Sequence, residues 1–380
     1  MIAVLLSNVM ESFQQGVWEK MLGTTMSFIG NIQVQKKGYW EEQSLDNGMN
    51  QNDSLFHQIQ SDKNVKYITP RIQTGALSAY KNLSRFVQII GLDPEKEENI
   101  IHFKPKLYKG NLLNNSDDAI IIGKGVAEYY KLGVGDTLSL IGQGYHGESA
   151  NRNFVIKGII KYGSPEMNSR LVIMPFDLAS RHFSTHGVIT SYNIHLDKIT
   201  QSKKVARRLE SEIDSTIYHV MSWQQMMPEL EQAYQADTGG ALIFLLVLYI
   251  IISFGIFGTI LMMTTERLYE FGVMVSIGMK KIKIIIVIFL EVLMLSFISV
   301  AIGSVLSYPI MYYLSTHPIP LSADTGQTMA EYGFEAVIVG TTNPIIIQYN
   351  AFAVLIISLM VVVYPTLKIL KLNPINAMKR

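Results

Sequence analysis

Three apolar runs decide most of what this chain can fold into. Ala241–Met263 contains no charge, Ile284–Leu314 contains only Glu291, and Ile345–Leu367 is interrupted only by Gln348, Tyr349 and Asn350 near its start. At about 1.5 Å per helical residue, each is long enough to cross the apolar core of a bilayer, about 30 Å. Buried helices of soluble proteins rarely hold so many uncharged residues in a row. The three runs therefore read as membrane spans.

Charge placement orients them. The segment between the second and third spans carries Arg267, Lys280, Lys281 and Lys283, and the C-terminal tail carries Lys368, Lys371, Lys379 and Arg380. Residues 315–344 hold no Lys or Arg. The bias of Lys and Arg toward cytoplasmic loops puts the first two inside and the last outside, and with it the large segment before Ala241. That segment needs an anchor upstream. Residues 1–14 begin with only about ten apolar residues, MIAVLLSNVM, half of a span by length, and have no basic leader of a signal peptide. They read as the outer half of a first transmembrane helix whose beginning lies upstream.

The outer segment has mixed composition. Strands are expected at Ile32–Gln35, Phe86–Gly91, Ala119–Ile122, Thr137–Ile141, Phe154–Ile160, Leu171–Met174 and Tyr192–Leu196, from apolar runs punctuated by Gly, Asp and Pro. Helices are expected at Lys124–Lys131, Phe176–Phe183 and Ser202–Ile213, and again from Ser222 straight into the second span. This makes an α+β domain, with room for two lobes, on a helical stalk.

Net charge is +1, so no global field points to nucleic acid. The absence of cysteine excludes disulfides, thiolate zinc sites and a cysteine nucleophile. Ile122-Gly123-Lys124-Gly125 lacks the spacing of a phosphate-cradling loop, so the chain shows no nucleotide site or catalytic ATPase residue of its own. His182 and His186 are four apart, but no Glu lies between them as in zinc proteases, and solvated histidines explain them better than a metal. Tyr145-His146-Gly147-Glu148-Ser149 lacks the turn that exposes a nucleophilic serine and reads as a loop between strands; a membrane-anchored enzyme would have to place its site there.

Glu291 is costly within a span unless paired or wetted. It reads either as a polar contact or conformational lock inside a helix bundle, or as a carboxylate that reaches water or a lysine at the helix end. No second carboxylate or histidine lies within the three runs, which argues against a proton relay. Small residues recur every four positions at Ser299, Gly303 and Ser307, and at Gly255 and Thr259. That spacing lets helix backbones approach, within the chain or against a partner; ordinary glycine usage in spans is the alternative.

Between the second and third spans lies TTERLYEFGVMVSIGMKK, residues 264–281. Leu268, Phe271, Val275 and Met279 share one helical face. Arg267 and Glu270 can pair, while Glu266 and Glu270 repel. Such a helix with unbalanced carboxylates suits a basic protein partner better than anionic lipid; a solvated connector is the other reading.

Glu266-Arg267, Glu270-Phe271-Gly272-Val273 and Ser276-Ile277-Gly278-Met279 resemble the signature of FtsX-type ABC transporter permeases. Glu291 followed by Gly303, and Pro365 with Leu372–Met378, resemble later parts of the same pattern. Ile90–Pro94 and Leu132–Asp136 resemble motifs of MacB-like periplasmic domains. The resemblance implies a membrane protein of the bacterial inner membrane with four spans in a one-plus-three plan and the α+β domain inserted after the first. The expected divisions are 1–14, outer half of the first span; 15–225, periplasmic domain; 226–264, stalk and second span; 265–283, cytoplasmic coupling helix; 284–314, third span; 315–344, periplasmic loop; 345–367, fourth span; and 368–380, cytoplasmic tail.

It also implies a non-catalytic subunit. A separate cytoplasmic ATPase would bind ATP and magnesium and dock through Glu266, Arg267, Glu270, Phe271, Gly272, Ile277 and Gly278. A second permease copy or homologue, membrane lipids and a periplasmic cargo or effector would be the other partners. Such permeases often work by mechanotransmission, moving the outer domain instead of opening a pore. Asn31–Gln35 with Gly38-Tyr39, and Ile319–Ser322, look most like lipoprotein-releasing permeases of the LolC/LolE kind. Regulation of cell-wall hydrolases and export of peptides or small molecules are the alternatives.

Overall fold

The computed structural model describes residues 1–162, 165–320 and 337–371. In chain order the elements are α1 (Ile2–Ile29), β1 (Ile32–Lys36), β2 (Met49–Asn50), α2 (Asp53–Gln60), β3 (Val65–Tyr80), β4 (Leu83–Leu92), α3 (Pro94–Ile101), β5 (Leu107–Gly110) and β6 (Ala119–Gly123). Then come α4 (Lys124–Tyr130), β7 (Thr137–Gln143), β8 (Ser149–Ile160), α5 (Pro165–Arg170), β9 (Leu171–Pro175), α6 (Phe176–His182), β10 (Val188–Ile189), β11 (Ser191–Leu196), α7 (Ser202–Glu212) and β12 (Tyr218–Ser222). The C-terminal part holds α8 (Trp223–Met226), α9 (Pro228–Glu266), α10 (Leu268–Ser276), α11 (Lys281–Thr316) and α12 (Pro344–Leu370). The chain divides into a helical unit, described at 1–19, 233–320 and 337–371, and a mixed α/β unit, described within 20–232.

The α/β unit is organised by β3. Its first half pairs with β11, from Val65↔Leu196 to Arg71↔Ser191. Its second half, from Ile72↔Gly91, pairs with β4. The first half extends a sheet in the order β12-β1-β11-β3. Val205 and Leu209 of α7 and Leu55 and Ile59 of α2 cover that sheet, packing on Ile32, Val34 and Ile194.

The second half of β3 enters a ring. β3 pairs with β4, β4 with β9, β9 with β6, β6 with β8, β8 with β7, and β7 returns to β3 at Leu77–Ala79. This is a closed six-stranded barrel. Period-2 alternation sends one set of side chains inward: Ile72, Val87, Ile89, Ile120, Ile122, Leu138, Leu140, Phe154, Ile156 and Val172 form the interior. The outward set on β4, β6 and β9, namely Ile90, Leu92, Ile121 and Ile173, is covered by Ile100 and Ile101 of α3 and by Phe103 and Leu113.

Arg71 stands where β3 passes from the sheet into the barrel. It is fully buried, and so is its partner Glu97 on α3. Nε donates to Oε1 and Nη2 to Oε2, each at 2.7 Å, a bidentate geometry that matches the guanidinium fork. Thr69 Oγ1 donates to the same carboxylate at 2.9 Å, and Arg71 Nη1 donates to the carbonyl of Phe28 near the end of α1. The charges are thus paired and hydrogen-bonded, as burial requires.

In the helical unit, α9, α11 and α12 are each long and apolar enough to cross a membrane. They extend beyond the expected runs at both ends. Helix α1 does not stop near residue 14 but continues to Ile29, so the expected boundary at 14/15 moves to 19/20. Its buried Ser7, Asn8 and Ser12, together with Glu11, share one face at i, i+1, i+4 and i+5. Asn8 Nδ2 donates to Ser307 Oγ at 2.9 Å, and Ser12 Oγ donates to the Thr341 carbonyl at 2.6 Å. A face of this kind lowers the hydropathy of the helix while keeping Ser7, Asn8 and Ser12 buried. The stalk also differs from expectation. It is not continuous from Ser222, because α8 ends at Met226 with Met227 (φ −131°) as its cap, and Pro228 starts α9 afresh.

Candidate functional site

The turn between α9 and α11 is built from two helix ends. Helix α9 stops at Glu266, and Arg267, at φ −89° and ψ 4°, starts α10 in a new direction. Phe271 is buried with Ile260 of α9, Ile284, Ile288 and Val292 of α11, and Ile369 of α12; Leu268 and Val275 pack at the edge of that cluster. The expected face therefore forms, except that Met279 lies beyond the helix.

Gly278 explains the exception. Helix α10 ends with Ile277 as its cap, and Gly278 follows at φ +99°. The Gly278 N–H donates to the Val275 carbonyl at 3.1 Å and the Met279 N–H to the Met274 carbonyl at 2.9 Å. These two bonds are those of a Schellman stop, which favours glycine at this position because a side chain is strained at positive φ. Gly278 is thus a helix terminator, and Ile277 is left 78% exposed at the tip.

Arg267 does not take the expected partner. Its Nη1 donates to both carboxylate oxygens of Glu291, each at 2.9 Å, and Glu270 is left out. Glu291 sits ten positions into α11 from Lys281, about 15 Å along the axis, with its side chain only 26% exposed. Glu291 is therefore ion-paired, with its cation supplied by the residue that follows α9. Lys281 Nζ donates to the Leu370 carbonyl at 2.9 Å. Glu266, Glu270 and Tyr269 are exposed on the turn, and among the described residues neither carboxylate has an ion-pair partner. Gly272 is buried, and its carbonyl accepts the Ser276 hydroxyl at 2.9 Å.

The small-residue stripes separate. A Cβ on Gly303 would sit 2.9 Å from the Met1 carbonyl oxygen and from Val4 Cβ, so α11 touches α1 there. Ser307 is buried on the same contact. Among the described residues, nothing lies within 4 Å of where a Cβ on Gly255 would point. Together with Thr259 and Ser299 it lines an open groove of about 540 Å³ instead of an intrachain seam.

A polar cluster absent from the sequence reading lies near the start of α12. Asn350 Nδ2 donates to Glu11 Oε2 at 2.9 Å, and Tyr249 Oη donates to Asn350 Oδ1. Glu11 is thus a carboxylate packed against α12, although it lies outside the three apolar runs. The signal for it was Asn350 itself, an amide one helical turn inside an apolar run.

The other candidates resolve simply. His182 ends α6 with its ring against Phe154 and Phe183, at 4.9 and 4.6 Å between centroids, and burial pushes its pKa down to about 4. His186 lies past the helix at φ 46°, so the two do not share a helical face. Among the described residues no His, Asp and Glu cluster could hold a metal. Residues 145–149 form the turn between β7 and β8, where the His146 N–H donates to Asp46 Oδ1 at 2.7 Å. Leu321 and Ser322 of the loop motif, and the closing motif Leu372–Met378, lie outside the described residues.

Two family models match the chain. One, for the FtsX-like permease C-terminal region, covers residues 242–374; the other, for the MacB-like periplasmic core domain, covers residues 1–212. Among solved structures, the periplasmic region of MacB from Actinobacillus actinomycetemcomitans is 13% identical, covering 54% of this chain and 94% of that one with a TM-score of 0.37. The extracellular domain of the transporter YknZ from Gram-positive bacteria is 16% identical over 50% of this chain and 99% of that one, with a TM-score of 0.34. A permease-protein domain from Porphyromonas gingivalis is 10% identical over 50% and 87%, with a TM-score of 0.30. Among curated proteins nothing matches.

Proposed function

Because this chain belongs to the FtsX-like permeases that carry a MacB-like periplasmic core domain, we propose that it is the membrane subunit of an ABC transporter driven by a separate cytoplasmic ATPase docked on residues 265–283. One observation carries the docking reading. The turn offers exposed Ile277, Tyr269, Glu266 and Glu270, while Phe271, Arg267 and Gly278 are used to shape it. An apolar tip flanked by carboxylates without ion-pair partners in the described residues complements an apolar groove with a basic rim.

ATP and magnesium belong to that partner. Motion of the turn passes into α9, a single helix of 39 residues, and works the periplasmic domain. The chain spans the inner membrane four times, with the domain inserted after the first span. The open groove at Gly255, Thr259 and Ser299 receives a second permease copy or homologue. The cargo reading is release of lipoproteins from the membrane, supported by the resemblance at residues 31–39. Hydrolase regulation and export of peptides or small molecules use the same architecture.

Charge reversal at Glu266 and Glu270 is the test of docking. Loss of ATPase co-purification, with the permease still folded, is expected; intact co-purification and ATPase activity sink the assignment. For the cargo, depletion should leave lipoproteins in the inner membrane. Normal lipoprotein sorting with defective septation or wall hydrolysis would replace release by regulation.

A further inference from the structure

We propose that the outer wall of the barrel holds a binding site for a small neutral or zwitterionic molecule bearing an aromatic ring or a branched aliphatic group. The strands β4, β9 and β6 run side by side, and their outward residues Leu92, Ile173 and Ile121 are almost fully buried. Phe103, Leu112 and Leu113 from the segment after α3 lie over them. The cover does not close. A cavity of about 340 Å³ remains between floor and cover, within the range of small-ligand pockets, about 300–1,000 Å³.

The space opens to solvent at a rim that includes exposed Glu95, Lys104 and Asn114, so it is a pocket that a ligand can enter and not a sealed void. An apolar cavity gives water too few partners and accepts an apolar guest instead. The floor and those walls bear no charged side chain, so a charged body would be desolvated there without compensation.

The rim sets the head group. Glu98 is already engaged, because its carboxylate accepts the N–H groups of Phe103 at 2.8 Å and Lys104 at 3.4 Å and so pins the cover in place. That leaves exposed Glu95 and exposed Lys104, of opposite sign. Glu98 keeps its negative charge, so a head with net charge meets a like charge at Glu95, Glu98 or Lys104; a neutral head does not, nor does a zwitterion with its cation toward Glu95 and its anion toward Lys104. The site stands on the cavity alone and does not depend on which cargo the permease serves.

This chain has no cysteine, so Leu112→Cys introduces a unique thiol among its 380 residues, here reconstituted in lipid nanodiscs. Its labelling rates with neutral benzyl, anionic sulfonatoethyl and cationic trimethylammonioethyl methanethiosulfonates are compared, each divided by the rate at Asn115→Cys on the exposed surface. The expected result is a preference of about tenfold or more for the benzyl reagent, since a charge entering the cavity loses its hydration. Millimolar indole should slow that reaction selectively. Ile121→Trp, which fills the cavity, should abolish the preference. Equal normalised rates for the three reagents, or no protection by indole, overturn the proposal. Should Ile121→Trp fail to fold, the reagent ratio and the indole protection on Leu112→Cys alone decide.

Discussion

Arg267, the residue that follows the last turn of α9, holds both oxygens of Glu291 on α11 through one terminal nitrogen, at 2.9 Å each. The pair joins two spans at the end where the turn begins, and Arg267 is itself about half exposed. Exposure limits the strength of such a pair, so a coupling of about 1 kcal/mol is expected from a double-mutant cycle. Glu291→Gln and Arg267→Gln should each lower the melting temperature of the purified permease. The exchanged pair, Arg267→Glu with Glu291→Arg, should recover part of the loss. Additive losses without recovery would show that the contact contributes nothing.

At the junction of sheet and barrel the balance is different, because Arg71 and Glu97 are both fully buried. Arg71→Met leaves Glu97 without its cation and should destabilise the α/β unit by about 3–5 kcal/mol. Adding Glu97→Leu removes the orphaned charge and should return most of that. Chemical denaturation followed by tryptophan fluorescence reports it through Trp223, which is buried in the same unit.

His195 gives a pH dependence. It is buried beside the same ion pair, its Nε2 has no hydrogen-bond partner among the described residues, and burial, reinforced by Arg71, pushes its pKa from 6.5 down to about 4. Between pH 6.5 and 4 the unfolded chain takes up a proton that the folded chain refuses. Stability present above the upper value is therefore lost as the pH falls toward the lower one, by up to about 3 kcal/mol. His195→Gln should flatten that part of the pH–stability curve. An unchanged slope would contradict the assignment.

Much of the α/β unit was legible in the sequence. Alternation and Gly or Pro punctuation placed β4, β6, β7, β9 and β11 within a few residues, and α4, α6 and α7 likewise. The longest strand, β3, escaped because Pro70 and Gly75 break its pattern, and proline within a run argues against a strand. The structure accommodates Pro70 opposite Tyr192 on β11. At the turn, the buried face through Phe271 followed from helical spacing. The partner of Arg267 did not, since a local choice, Glu270, stood three positions away and the true one stands 24 positions away. Glu11 was hidden for a related reason. A carboxylate at the end of a short apolar run looks like a boundary until Asn350, 339 positions away, is seen to donate to it.

Gly278→Ala tests the helix stop. Its φ of +99° strains any side chain, although among the described residues nothing lies within 4 Å of where a Cβ would point. The cost should be about 1–2 kcal/mol, and the displaced tip should weaken ATPase co-purification more than it lowers the melting temperature. An alanine variant that matches the parent in both measurements would remove Gly278 from the docking geometry.

The ring of strands in the periplasmic domain restricts how other proteins can approach it. Each of its members finds a backbone partner on both sides, so a peptide cannot insert itself as an extra strand between them. Among the described residues, only β12 and β5 end the order of the larger sheet, and unpaired backbone edges are what strand addition requires. Partners of the barrel must therefore read its side chains and loops, whereas a partner that extends the larger sheet finds its short edges at β12 and β5.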